Sequence, residues 1–220
     1  NCSKGVGSLH SLPFHPLLPL FSFATNIKPK YRLIYMTAED INQNAYFFIK
    51  KYKADPFFLC LNYMDAHEIY CPPIPYSHMF STKKLPHAYR LVNHLFKRQG
   101  NEHTSFLLSQ YDGEIAYLDN NLGDLFSFLK ENNLYNKSMI VVTSDHGELF
   151  NEHGISGHRQ ELYQGAVHVP LLIKFPNSTA IGRNQNLITL SDVFATIIAH
   201  TGLGKPDNLS GISMGIPTRP

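Results

Sequence analysis

Residues 139–148 read Met-Ile-Val-Val-Thr-Ser-Asp-His-Gly-Glu. The run 139–144 is short, apolar and β-branched, and it ends in a polar turn with a glycine. That is the pattern of a strand buried on both faces, as in a parallel sheet. Two further runs share it: 57–62 (FFLCLN), bounded by Pro56, and 171–175 (LLIKF). Between the first two, Tyr111, Ile115, Leu118, Leu122, Leu125 and Leu129 recur at steps of 4 and 3, one stripe on a helix. Thr37 precedes another helix, with Glu39 and Asp40 in its first turn and Lys50 and Lys51 near its end, as the helix dipole favours. Asp55-Pro56 stops it. A third helix is expected near 87–98. A fourth begins at Ser191 or Asp192, runs through 193–200 and stops at Gly202. Strands separated by helices predict an α/β protein with a mainly parallel central sheet flanked by helices. Residues 1–35 show no period and are expected to be irregular.

Composition narrows the function classes. The chain has 220 residues, enough for one domain. Lys and Arg number 19 against 17 Asp and Glu, too even a balance for a nucleic-acid binder. Aromatic residues at 12% argue strongly against a disordered chain. Three cysteines with no CxxC argue against a disulfide framework and a structural zinc site. No stretch approaches the roughly 18 apolar residues of a membrane-spanning helix.

In open α/β sheets, ligands bind beyond the carboxyl ends of the strands. Asp145 and His146 follow the 139–144 run, and His67 follows the 57–62 run. A carboxylate beside an imidazole offers one divalent cation a hard oxygen and a borderline nitrogen. Gly147 supplies the freedom for the bend that would turn both inward. The alternative is that Asp145 caps a helix and His146 is an ordinary hydrogen-bonded histidine. Four of the twelve histidines, His146, His153, His158 and His168, fall within 23 residues. Such a loop suits metal or oxyanion binding. His153 and His168 are expected only to hydrogen-bond the loop.

Taken together, 140–176 (IVVTSDHGELFNEHGISGHRQELYQGAVHVPLLIKFP) resembles the signature segment of the sulfatase family, within the alkaline phosphatase superfamily. Residues 56–73, 111–148 and 187–214 resemble other blocks of that family, in the same order. The resemblance covers about residues 38–215 and implies an alkaline-phosphatase-like fold, with 36–220 as part of the catalytic domain. It implies that Asp145 and His146 are ligands of the catalytic divalent metal, Ca²⁺ first, with Mn²⁺ or Zn²⁺ as alternatives. Many sulfatases have Asp-Asn at that pair. Asp-His occurs in the iduronate-sulfatase-like branch, in phosphonate monoester hydrolases and in phosphoethanolamine transferases. His67 is implied to donate to an oxygen of the bound ester. His158 stands where most sulfatases place a lysine for the same oxyanion.

The family's first strand, its acidic pair and its Cys-x-Pro-x-Arg or Ser/Thr motif, whose Cys or Ser sulfatases convert to formylglycine, match nothing here. Cys2, Cys60 and Cys71 lack that context. The expectation is therefore an internal piece of a longer enzyme, incomplete and inactive alone. That enzyme would be a sulfuric ester hydrolase acting on a small-molecule or saccharide sulfate. Its rivals are a phosphatase, phosphonate hydrolase or phosphoethanolamine- or phosphoglycerol-type transferase of the same superfamily, acting on a phosphate ester, and a non-catalytic binding remnant.

Overall fold

The computed structural model describes residues 36–81, 101–158, 162–178, 181–202 and 206–214. The irregular 1–35 segment and the helix expected near 87–98 lie outside them.

Helix α1 spans Ala38–Tyr52 and starts as its sequence predicts. The Thr37 hydroxyl accepts from the Asp40 N–H at 3.3 Å, and the Asp40 carboxylate accepts from the Thr37 N–H at 3.3 Å. This reciprocal pair satisfies two backbone donors that a helix start leaves open. Ala38, Asn42, Ala45 and Ile49, one helical stripe, are buried. They face α2, Asn101–Glu131. Ala45, Ile49, Leu125 and Leu129 form the apolar core between the two helices, with Phe57, Leu59 and Leu61 packed onto it.

Residues 57–62 differ from expectation. They carry no strand assignment, and only alternate residues turn inward, while Phe58 and Cys60 are exposed. The helix pair covers one face of the run, and no described element covers the other. The buried stripe of α2 also differs. Its C-terminal half follows the apolar pattern through Leu125 and Leu129, but in the N-terminal half Ile115 is exposed and Gln110 and Glu114 are buried instead. The cause is the neighbour. The N-terminal half of α2 packs on the irregular 65–78 segment, whose backbone groups need partners. Gln110 donates to the Ser77 carbonyl at 3.1 Å, and Glu114 accepts from the Cys71 N–H at 2.6 Å.

Strand β1, Ile140–Thr143, pairs with β4, Leu171–Lys174, with Ile140 opposite Lys174 and Thr143 opposite Leu171. Between them β2, Leu149–Phe150, and β3, Ser156–Gly157, form a hairpin, followed by a one-turn helix α3, Gln164–Val167. Both ladders among the described residues are antiparallel, not the parallel pairing the apolar runs suggest. A parallel neighbour needs a long crossover, usually a helix. The chain from β1 to β4 holds only a hairpin and a single turn, so it returns antiparallel. Lys174 closes this unit by donating to the Tyr135 carbonyl and, at 3.0 Å, to the Ser138 carbonyl.

Helix α4 spans Leu190–Thr201. Its cap is Thr189 rather than Ser191 or Asp192; Asp192 is the reciprocal partner. It ends at Gly202, whose φ of 69° suits the left-handed position there. Among the described residues no helix is long and apolar enough to cross a membrane.

Candidate functional site

The bend after β1 is built from its own polar residues. The Thr143 hydroxyl donates to the Pro170 carbonyl at 2.9 Å, and the Ser144 hydroxyl donates to the His146 carbonyl at 2.6 Å. The His146 N–H donates to Asp145 Oδ1 at 3.0 Å. Gly147 then donates its N–H to the Ala166 carbonyl at 2.7 Å. A Cβ at Gly147 would fall inside the Gly165 carbonyl. Glycine is needed here for close approach of two backbones.

The hairpin brings the distant histidine back. Leu149 pairs with Gly157, so the next pair outward sets Glu148 across from His158. His158 Nδ1 lies 3.2 Å from the Glu148 carboxylate, whose side chain is 5% exposed. The Tyr70 hydroxyl donates to the same carboxylate at 2.6 Å. Burial, then this bond to Glu148, pushes the Tyr70 phenol far above its ordinary range. It stays protonated and keeps donating. Tyr70, Tyr111 and Phe150 stack with centroids 5.0–5.7 Å apart and seat the hairpin on α2.

His67 arrives from the other strand-like run. Asp65, fully buried, accepts the first N–H of α1, that of Ala38, at 3.2 Å. A carboxylate at a helix start is favoured by the helix dipole and fixes the segment that carries His67. The Tyr63 hydroxyl anchors the same segment through Asn42 at 2.6 Å.

His67, His146 and His158, all half-buried, therefore meet on one face. Each offers a ring nitrogen within 4.8 Å of the others. The His146 and His158 rings stack at 4.0 Å, and His67 stands edge-on to His158 at 4.9 Å. Asp145 sits at the rim, its side chain 87% exposed, with Oδ1 3.7 Å from His146 Nε2. An oxygen and a nitrogen at that spacing can share one cation at ligand distances of about 2.0–2.6 Å. No helix follows Asp145 directly, so its oxygen serves the His146 N–H instead of a helix cap. His153 is elsewhere, stacked on Tyr163 at 3.9 Å. His168 is not in the cluster either; it closes α3 through its own N–H, bonded to the Gln164 carbonyl at 2.9 Å.

Sequence reasoning assigned no role to Glu148 or Tyr70. Glu148 was visible two residues past His146, but its partner across the hairpin needed the register. Tyr70 lay in a stretch without period and had no sequence signal.

The protein-family profile described as Sulfatase matches residues 19–203. Arylsulfatase K of Xenopus laevis is 34% identical over 104 residues, 47% of this chain and 19% of that protein. An arylsulfatase of Clostridium perfringens is 22% identical over 195 residues, 79% of this chain and 40% of that protein. The chain thus spans well under half the length of these relatives. The solved structure of a phosphonate monoester hydrolase from Silicibacter pomeroyi superposes with a TM-score of 0.68 at 23% identity, over 81% of this chain and 41% of that one. This likeness establishes the alkaline-phosphatase-like α/β fold.

Proposed function

The chain belongs to the sulfatase family, and from that membership we propose that it forms part of a metal-dependent sulfuric ester hydrolase, residues 36–220 lying in its catalytic domain. The observation that carries the reading is the convergence of Asp145, His146, His67 and His158 beyond β1. The substrate class is a small-molecule or saccharide sulfate ester, and the sheet of the whole domain is mainly parallel.

Asp145 and His146 are the residues that would hold the divalent cation. The His146 Nδ1 lies 2.8 Å from the Gly147 carbonyl, an acceptor, so Nδ1 carries the proton and Nε2 keeps its lone pair. Ca²⁺ is the ion expected from family likeness. Bound there, it would place positive charge against the nonbridging oxygens of the ester. His67 and His158 turn their rings toward the same oxygens, as preorganised partners of developing negative charge. Glu148 and Tyr70 hold the His158 ring in place. The family's nucleophile is formylglycine, and no residue of this chain is assigned that role.

The test is hydrolysis of an aryl sulfate and an aryl phosphate, with Ca²⁺ or Mn²⁺, by the full-length enzyme of which this chain is a part; the chain assayed alone is expected to turn over neither. Sulfate turnover abolished by Asp145→Ala and reduced by His67→Ala or His158→Ala supports the reading. Preference for the phosphate transfers it to the phosphatase or transferase branch of the superfamily. Sulfate binding without turnover of either ester indicates a binding remnant.

A further inference from the structure

We propose that the end of the fold away from the site carries a docking surface for a polysulfated saccharide chain, formed by Lys50, Lys51, Lys53, Lys130 and Lys137, with Lys174 behind them. The surface stands on geometry and charge. Only the choice of a sulfated saccharide among polyanions rests on the reading above.

Placement is the first argument. The Asn42 side chain donates to the Asn121 carbonyl at 2.8 Å, and Lys53 donates to the Asn132 side chain at 3.0 Å. Helices α1 and α2 therefore run parallel and end side by side. The chain turns there, with the Lys137 N–H bonded to the Leu134 carbonyl at 3.1 Å, and enters β1 at Ile140, opposite Lys174. Asp145 and His146 lie past the other end of β1. The lysines gather where β1 starts, and the site lies where it stops.

Charge is the second argument. Segments 50–55 and 130–138, with Lys174, hold these six lysines against Asp55 and Glu131. That is an excess of four, where the whole chain has a formal excess of two. Positive charge is thus segregated to this end, and the rest of the chain is net negative. Two helix C-termini attract lysines, but at about −0.5 elementary charge each they account for about one of the four. None of the six is in an ion pair among the described residues. All but Lys174 are exposed, and Lys174 is spent on the carbonyls of Tyr135, Asn136 and Ser138. Unpaired like charges repel one another, and a bound polyanion relieves that repulsion.

The third argument concerns the occupant. Packed helix axes stand about 8–10 Å apart, so lysines of both helices cannot close on one sulfate ion. A chain with charged groups at intervals can meet them in turn. Lys50 Nζ lies 5.7 Å from the centre of the Phe128 ring, and Lys130 and Lys174 lie 4.9 and 4.7 Å from that of Tyr135. Nucleic-acid bases need open aromatic faces to stack on, and here ammonium groups cover them. Lysine is a point charge without the rigid fork of arginine, so it accepts sulfate groups at variable spacing. A sulfated polymer held here raises the effective concentration of its sulfate esters at the site.

The experiment is calorimetric titration of the full-length enzyme, of which this chain is a part, with a heparin-type sulfated polysaccharide at several salt concentrations. The expected result is binding that weakens steeply with salt. Lys50→Gln, Lys51→Gln and Lys53→Gln together should weaken it by more than about tenfold and flatten the salt dependence. Lys130→Gln with Lys137→Gln, on other elements, should act in the same direction. Asp145→Ala should bind the polymer as the parent does. Both lysine sets should keep the parent's helical circular dichroism and its turnover of a small aryl sulfate. Polymer affinity unchanged in both lysine sets overturns the surface. Equal binding of the desulfated polysaccharide, or tighter binding of duplex DNA or of phosphatidylserine vesicles, overturns the sulfated saccharide as its occupant. Lysine-dependent polymer binding by an enzyme that turns over no aryl sulfate leaves this surface standing and sinks the hydrolase reading instead.

Discussion

The α1–α2 pair and the β1-to-β4 unit are held by different physics. Between the helices the contact is apolar: Ala45, Ile49, Leu125 and Leu129 bury against each other, with Phe57, Leu59 and Leu61 alongside. From β1 to β4 little apolar area is fully buried, with Leu149 the main exception. That unit stands on backbone approach at Gly147 and on bonds from Thr143, Ser144, Tyr70 and Lys174 to fixed oxygens. A layer held by area tolerates shifts and supplies stability. A layer held by directed bonds fixes side chains within tenths of an ångström, which a site needs.

If this division is right, deleting apolar volume between the helices has the largest effect on stability and the least on the site. Ile49 is 1% exposed, and Ile49→Ala should cost about 2–5 kcal/mol through lost burial and a residual cavity. Urea unfolding measures the loss. The folded fraction should keep the parent's His146 and His158 imidazole resonances. A shift of those resonances in the folded fraction would break the division.

The converse variant is Gly147→Ala. Its Cβ meets the Gly165 backbone, so the Gly147 to Ala166 bond must lengthen. Overpacking of this kind costs about 1–3 kcal/mol. Unlike Ile49→Ala, it should disturb the site at small cost elsewhere, because His146 hangs on the same bend. The ¹H–¹⁵N spectrum of His146 and His158 should shift while α1 amides stay in place. Shifts confined to 147 and 165 would show that the bend yields without moving the rings.

The same division explains what the sequence disclosed. Helix α1 was readable because its signals are local: Thr37, Asp40, Lys50 and Lys51 act within one helix. Asp145 and His146 follow an apolar run that is a strand, so their place at its end was legible, whereas His67 and His158 reach them through an irregular segment and a hairpin. Non-local matters were hidden. Period 4 and 3 along α2 predicted an apolar stripe, but its N-terminal half faces an irregular segment with open backbone groups, so Gln110 and Glu114 go inside. The antiparallel return of β4 depended on what the 144–170 segment folds into. Glu148 could be matched to His158 only through the hairpin register.

A smaller test concerns a polar device inside the apolar region. Thr37→Ala removes the hydroxyl that accepts from Asp40 N–H at 3.3 Å. Lost caps cost about 1 kcal/mol. Against Ile49→Ala this is a minor change, and Thr37→Ser should restore most of it. An effect as large as that of Ile49→Ala would mean that directed bonds, not area, dominate the helix pair too.

The smallest expected effect is a pH response at Asp192. One carboxylate oxygen accepts from Ile212 N–H at 2.7 Å, the other from Thr189 N–H at 2.8 Å and its hydroxyl at 2.9 Å. The bond from Ile212 first, then those from Thr189, hold its pKa below the usual carboxylate value. The carboxylate thus ties residues 211–214 to the start of α4, with Thr196 accepting from Met214 N–H at 2.8 Å as a second tie. A carboxyl depressed on folding adds stability above its unfolded pKa, about 3.9, and loses it as pH falls through the lower folded value. The side chain is solvated, so the contribution is small and weakened by salt. Asp192→Asn should therefore differ from the parent in Ile212 amide exchange at neutral pH, and the two should begin to converge as pH falls below about 4 and meet only below the folded pKa. Convergence is expected here and not at Ile49, whose burial carries no charge. A gap that persists unchanged down to low pH would show that Asp192 ties the two segments by shape and not by its charge.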